Sequence, residues 1–410
     1  MNHDGTIDNQ SHVVKLPAIV DAQVYAVAIP RIYKTRVSSM GGLGEGKTGS
    51  LYYLFELVAD NGLRGIGEIS DMEDDWNIPL VADFTNFLRQ QLCGSQLEQR
   101  RTTVQDFRNN LPVEWHHEMR TMMTTAVDMA LLDLLGKTLG VPLYELLGGR
   151  CRQNVVVSWV AFIRKAELLE HEIREKVEQG FNAFKLKVGD DFRTDYENVE
   201  AIRRVAGPQA YLKLDASGAW DGREAIEHIK TLSRLKVDAV ETPLRDVSRS
   251  LAKFHPERVN DDPERAAQAL AAVRQAVAPV KIIEHISDFS DGFAMALIKH
   301  RAVDIFNVLI PQAGSMERTL RLARLAETAG IEVLLGSTVE LGPGTAFALH
   351  AAAVCPGITA PSDLVGPGLL VDDVITEPFR YASSTLRVPD GPGLGVSLDG
   401  GKLLKHRKEL

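Results

Sequence analysis

Apolar residues along this chain follow two rhythms, and the change between them divides it. From Asp21 to Ala59 the runs VYAVAI and SLYYLFELVA have the character of strands; Asp60-Asn61-Gly62 marks a turn, and LRGIGEI follows as a third strand. Between 79 and 146, ADFTNFLRQQL and TTAVDMALLDLLGKTLG carry apolar residues at helical spacing, with Gly140-Val141-Pro142 as a stop. Strands followed by helices predict an α+β module over 19–148, preceded by a loose polar tail over 1–18.

After Arg150 the pattern becomes a cycle. VVVSWV, AFKLKV, YLKLDA, VDAVET, KIIEHI, VDIFNVL and IEVLLGS are each followed by a helical stretch. Such short, continuous apolar runs suit strands buried on both faces. Their repetition with helices predicts an α/β fold, a closed parallel barrel over 149–380. The charged stretch 244–278 exceeds one helix and predicts an extra loop over the barrel mouth. The strand- and turn-rich segment 381–410 is expected to return and complete the first module.

Composition narrows the setting. Hydrophobic residues make up 45% of the 410 and charged residues 25%, ordinary for a globular chain with a large core. A net charge of −9 argues against a general nucleic-acid binder, which needs a basic surface. Cys93, Cys151 and Cys355 form no CxxC or Cys/His cluster, so a zinc site or disulfide framework is not indicated and a reducing cytoplasm is expected. The polar start MNHDGTIDNQ has no apolar signal core, and no stretch reaches the roughly 20 apolar residues of a membrane span.

Polar residues at the C-terminal ends of barrel strands face a common site. Those ends offer Lys185 and Lys187, Asp215 with Lys213, Glu241, Glu284 and His285, then Thr338, Glu340 and Asp363. Lys187 to Asp215 spans 28 positions and Asp215 to Glu241 spans 26, each about one strand–helix unit. An ordinary loop cap would explain any one acid alone. Three acids at successive strand ends favour a hard cation such as Mg2+, held by Asp215, Glu241 and Glu284. Lys185 and Lys187 alternate with Leu186 and so share one face of their strand. One can act as a base once burial and its neighbour lower its pKa, while the other neutralises a substrate carboxylate; both could instead reach the rim.

In order, FKLKVG, LDASGAW, VETPL, KIIEH, NVLIPQAGS, LLGSTVELG and VPDGPGLGV resemble the enolase superfamily, in its muconate lactonizing enzyme and mandelate racemase branch. VADNGLRGIGE and AVDMALLDLLGKTLGVPLYELLGG resemble its capping domain and junction. The resemblance implies a modified TIM barrel, (β/α)7β, under an N-terminal capping domain. It implies Mg2+ on Asp215, Glu241 and Glu284, with Lys187 removing the proton α to the carboxylate of a small-molecule substrate and Lys185 lowering its pKa. A glutamate followed by His285 looks more like the mandelate racemase side. Specificity would come from capping loops near 31–49 and 70–76, with Tyr33 and Arg36 as substrate contacts or ordinary surface residues. A symmetric homo-oligomer is expected.

The departures shape the expected reaction. The sixth strand of such relatives ends in a second base, but here Leu309 stands in that place and Thr338 stands where a histidine is usual. Two-base racemisation or epimerisation is therefore disfavoured. A lyase reaction, dehydration of an acid sugar or a hydroxylated amino acid, is expected first, and cycloisomerisation or racemisation second. His285 could donate to the leaving group or could be a packed neighbour of a ligand. Asp363 and Thr338 could contact substrate, and so could Glu340 if it is not a loop anchor. Ser217 replaces an asparagine usual near the first ligand. From another class, Gly41–Thr48 (GGLGEGKT) matches a nucleotide-binding P-loop, which requires a strand before it and a helix after it.

Overall fold

The computed structural model describes residues 15–37, 46–73, 76–247 and 262–410. The first part of the expected tail, most of the glycine-rich loop and positions 248–261 of the charged stretch lie outside the described residues. Strands β1 (Ile19–Thr35), β2 (Lys47–Ala59) and β3 (Arg64–Met72) form an antiparallel sheet in that order. Helices α1 (Val81–Leu92), α2 (Arg100–Asn110) and α3 (His117–Leu139) follow. Gly65 and Gly67 let α3 lie close on β3: a Cβ at Gly65 would come within 2.0 Å of the Ala130 carbonyl oxygen.

The apolar side chains of α3 divide between two cores. Met122, Met123, Ala126, Val127 and Leu134 pack with the antiparallel sheet, while Met129 and Leu132 join the barrel core. Such a helix, apolar nearly all round, must be covered on both sides.

After the short strand β4 (Asn154–Val156), which stands outside the barrel sheet, the barrel strands are β5 (Trp159–Ala161), β6 (Ala183–Lys187), β7 (Tyr211–Asp215), β8 (Ala239–Glu241), β9 (Lys281–His285), β10 (Ile305–Val308) and β11 (Glu332–Leu335). Strands β5 to β11 form one parallel sheet in chain order. Segment 358–363 closes it, with parallel bridges from Ile358 to Val333 and from Ser362 to Val157. Ala239, Ile283, Ile305, Leu334 and Ala360 pack together inside the ring. The long stretch after β8 contains helix Pro263–Val277, which starts on an Asp262 cap.

The C-terminal segment runs back toward the first sheet. β12 (Thr385–Arg387) pairs with β4, the Leu394 N–H donates to buried Asp133 on α3 (2.8 Å), and the Lys408 N–H donates to the Ala26 carbonyl on β1 (2.9 Å). On the opposite side, Glu68 of β3 accepts the backbone N–H groups of Leu341 and Gly344, both at 2.7 Å. A carboxylate there satisfies orphan donors at the start of helix Gly342–Val354.

Candidate active site

A cleft of about 250 Å³ opens at the C-terminal end of the barrel strands, beneath the antiparallel sheet and α3. Lys185, Lys187, Asp215, Glu241, His285, Thr338 and Asp363 line it, so seven of the expected site residues share one cavity. Their convergence follows from register. Lys187 is the cross-strand partner of Asp215, and Asp215 of Glu241.

Lys185 is the hub. Its Nζ lies 2.9 Å from Asp215 Oδ2, 2.7 Å from Glu241 Oε2 and 2.9 Å from Asp363 Oδ2. Burial opposes its charge, but Asp215, Asp363 and Glu241 outweigh burial and hold its pKa well above the ordinary lysine value. Lys187 donates to Asp215 Oδ2 at 2.6 Å and stands nearer the opening. Asp215 would be raised by burial, yet Lys185 and Lys187 keep it far below the usual carboxylate range. Its Oδ1 accepts from the Ser217 N–H at 2.9 Å and hydroxyl at 3.0 Å.

Asp363 is engaged on both oxygens, since Oδ1 takes Lys213 at 2.8 Å and Ser158 at 2.7 Å. Lys213 is fully buried, and burial lowers its pKa even with Asp363 beside it. Asp363 is thus an ion-pair partner of two lysines rather than an open substrate contact.

Glu284 does not reach the cleft. Glu241 pairs with Ile283, and the cleft-lining Asn307 pairs with His285. Strand alternation therefore turns Ile283 and His285 inward and Glu284 away. Glu284 is fully buried and accepts from Thr242 Oγ1 (2.9 Å) and the His285 N–H (3.2 Å), while its Oε2 has no hydrogen-bond partner. Burial, with Glu241 and Asp215 nearby, pushes its pKa well up. Of the three carboxylates expected to project together, Asp215 and Glu241 line the cleft and Glu284 does not; His285 lines it instead.

Of the expected substrate contacts, Tyr33, Arg36 and Glu340 lie outside the cleft lining and take the alternative, structural roles that the sequence left open. Tyr33 lies outside the cleft lining and spends its hydroxyl on Glu172 Oε1 at 2.6 Å. Arg36 is half-exposed, paired with Asp190, and also outside the lining. Glu340 is a loop anchor: it is buried and accepts the Thr338 N–H (2.7 Å) and hydroxyl (2.9 Å). That anchoring presents Thr338 to the cleft, where its hydroxyl also meets Ser70 at 2.6 Å.

Several lining residues were not named from the sequence, although Arg31 and Trp76 bound the expected capping loops 31–49 and 70–76. Arg31, buried on β1 and paired with Asp71 at 2.7 Å, and Trp76, stacked on His116, come from the first module. Glu118 opens α3 and accepts from Gln312 at 2.6 Å. Asn307 donates to Glu241 Oε1 at 2.7 Å, and as a polar residue at a strand end it was open to the same rule that found the acids.

Across the ring from Lys187, Leu309 forms an apolar wall. Its N–H donates to Ser287 Oγ at 2.6 Å, and a Cβ on Gly336 would come within 2.2 Å of Leu309 Cδ1. Glycine at 336 is what makes room for that side chain.

The P-loop reading fails on context. Lys47 and Thr48 begin β2, which pairs antiparallel with both neighbours, so a strand follows where a helix is required. Lys47 Nζ lies 3.3 Å from Asp71 and 2.9 Å from Glu73.

Among the described residues no group of three or more His, Cys, Asp or Glu side chains is arranged to hold a metal ion, and the Lys185 ammonium contacts both Asp215 and Glu241. The donors still suit a divalent cation in charge and chemistry: two opposed carboxylates and one buried imidazole. No helix among the described residues is long and apolar enough to cross a membrane.

Comparison with known proteins agrees with this architecture. Residues 168–402 match the family described as enolase C-terminal domain-like, and residues 44–148 match the mandelate racemase/muconate lactonizing enzyme N-terminal domain. Muconate cycloisomerase 1 of Pseudomonas putida is 31% identical over 290 residues, 70% of this chain and 72% of that one. The L-Ala-D/L-Glu epimerase of Bacillus subtilis is 30% identical over 303 residues, 72% of this chain and 76% of that one. The muconate lactonizing enzyme of Pseudomonas fluorescens, solved with muconolactone, superposes with a TM-score of 0.81 at 24% identity, covering 96% of this chain and all of that one. The chain belongs to the enolase superfamily, in its mandelate racemase and muconate lactonizing enzyme branch.

Proposed function

We propose that this chain is a one-base isomerase acting on a small carboxylate, and that its reaction is a cycloisomerisation. One observation carries the reading: Lys187 lines the cleft from β6, and the position across the ring is Leu309. In the ring-opening direction Lys187 accepts the proton from the carbon α to the carboxylate, and the carbon–oxygen bond at the β carbon breaks within the same molecule. In the closing direction an oxygen of the substrate adds to the double bond, and Lys187 returns the proton to the α carbon. The proton leaves and enters on one face, so one base suffices.

Asp215 and Glu241 are the residues that would hold a divalent cation, Mg2+ being the ion expected from the family resemblance. When bound, such an ion supplies positive charge against the negative charge that develops on the substrate carboxylate. Lys185 orients Asp215 and Glu241 through its 2.9 and 2.7 Å contacts. Val160, Phe162, Leu309 and Val365 supply apolar walls that exclude water.

Dehydration, the first expectation from sequence, begins with the same proton loss. It is set second, because the relatives bear the names of a cycloisomerase and an epimerase and because a departing hydroxide needs its own proton donor. Epimerisation needs a base at the place of Leu309. The test is incubation of a carboxylate library in D2O with divalent cations, using wild type and Lys187→Ala. Deuterium should enter the α position of one substrate, with a loss of about a hundredfold or more in the variant. Undiminished exchange in Lys187→Ala would remove Lys187 as the base.

A further inference from the structure

We propose that the third donor of the cation site is the imidazole of His285, and that the site therefore favours a first-row transition ion such as Mn2+ or Co2+ more than a site of three carboxylates would. The proposal rests on the reading of Asp215 and Glu241 as cation ligands and replaces the expected Glu284.

Three observations converge. Register places His285 opposite the inward-facing Asn307, on the strand after Glu241, while Glu284 turns to Thr242. His285 lines the cleft yet is only 6% exposed. Its Nε2 has no hydrogen bond, although Asp288 Oδ1 stands 2.7 Å away without the alignment for one. A buried ring nitrogen left without a bond is costly, and bonding to an ion removes that cost.

Donor chemistry then sets the preference. Carboxylates alone suit Mg2+, Ca2+ and Mn2+, whereas imidazole nitrogen is a softer donor that transition ions bind and Mg2+ does not favour. Nearly any such site binds Mn2+ more tightly than Mg2+, so the deciding quantities are the ligating atom and the change in preference on substitution.

The experiment uses the full chain stripped with a chelator. Mn2+-loaded protein is examined by pulsed EPR for coupling to a histidine 14N nucleus, and Mg2+ and Mn2+ are titrated calorimetrically into each variant. Wild type should show the 14N coupling, and His285→Asp should lose it while its Mn2+/Mg2+ affinity ratio falls about tenfold. His285→Asn serves as a second variant should the first not fold, and should likewise lose the coupling. Glu284→Gln should retain it. Absence of 14N coupling in Mn2+-loaded wild type, or its persistence in both His285 variants, would overturn the proposal. A wild type that binds neither ion would instead sink the cation reading of Asp215 and Glu241.

Discussion

Lys185 gathers carboxylates from three separate segments, and its neighbours depend on it more than it depends on any one of them. Asp215, Glu241 and Asp363 are all buried, and each lies within 2.9 Å of the one ammonium. Removing one partner of a buried ion pair typically costs roughly 3–5 kcal/mol, because the partner's charge is left uncompensated. Lys185→Met should therefore lower stability by about that amount at pH 7 in cation-free protein, read by chemical denaturation. Added divalent cation should restore part of the loss. Equal stability of the two proteins would show that the acids do not rely on this lysine.

Sequence reasoning reached this network because charged residues in an apolar strand stand out. Lys185, Lys187, Asp215 and Glu241 needed only strand alternation and unit length to be placed. Glu284 was expected to face the cleft and does not: two polar groups sit side by side in KIIEHI, and only the register to β8 and β10 decides which points inward. For Tyr33 and Arg36 the sequence left substrate contact and a surface role open for another reason. Their partners, Glu172 and Asp190, come from distant parts of the chain that local pattern does not join.

At the scale of elements, the strand–helix cycle was legible because parallel strands buried on both faces are continuous apolar runs. Helix α2 was not, since its buried side is only Thr103, Val104 and Phe107. The glycine-rich match at Gly41–Thr48 misled because a local string carries no information on the sheet around it; β2 takes Lys47 into a hairpin. Helix Gly342–Val354 shows what one buried element contributes to the return of the C-terminal segment. Its His350 Nε2 lies 3.1 Å from the Leu394 carbonyl, its Nδ1 has no hydrogen-bond partner, and burial depresses its pKa to about 4. The folded state thus holds the neutral ring while the unfolded chain, near 6.5, takes up a proton first. The stability that His350 contributes is fully present above about pH 6.5 and is lost as pH falls toward 4. His350→Gln should flatten that part of the stability–pH profile, measured by denaturation at several pH values between 4 and 7. An unchanged slope would contradict it.

The whole molecule joins two cores through α3, and the joints are buried acids. Asp133 accepts from the Ile66 N–H on β3 (3.0 Å) and from the Leu394 N–H (2.8 Å); Asp128 accepts from the Met316 N–H (2.8 Å) beyond β10. These contacts hold the antiparallel sheet over the barrel mouth, so that Arg31 and Trp76 close a cleft whose floor is the Lys185 network. The layout has a base on one side, Lys187, and a wall on the other, Leu309 kept in place by Gly336. The central claim is that this asymmetry restricts proton transfer to one face of the substrate. The most direct measurement is the configuration of the α carbon after turnover in D2O, followed by NMR and chiral chromatography on a substrate found in the library. A single deuterium at one face and a single enantiomer throughout are expected. Interconversion of the two enantiomers by wild-type protein would contradict it.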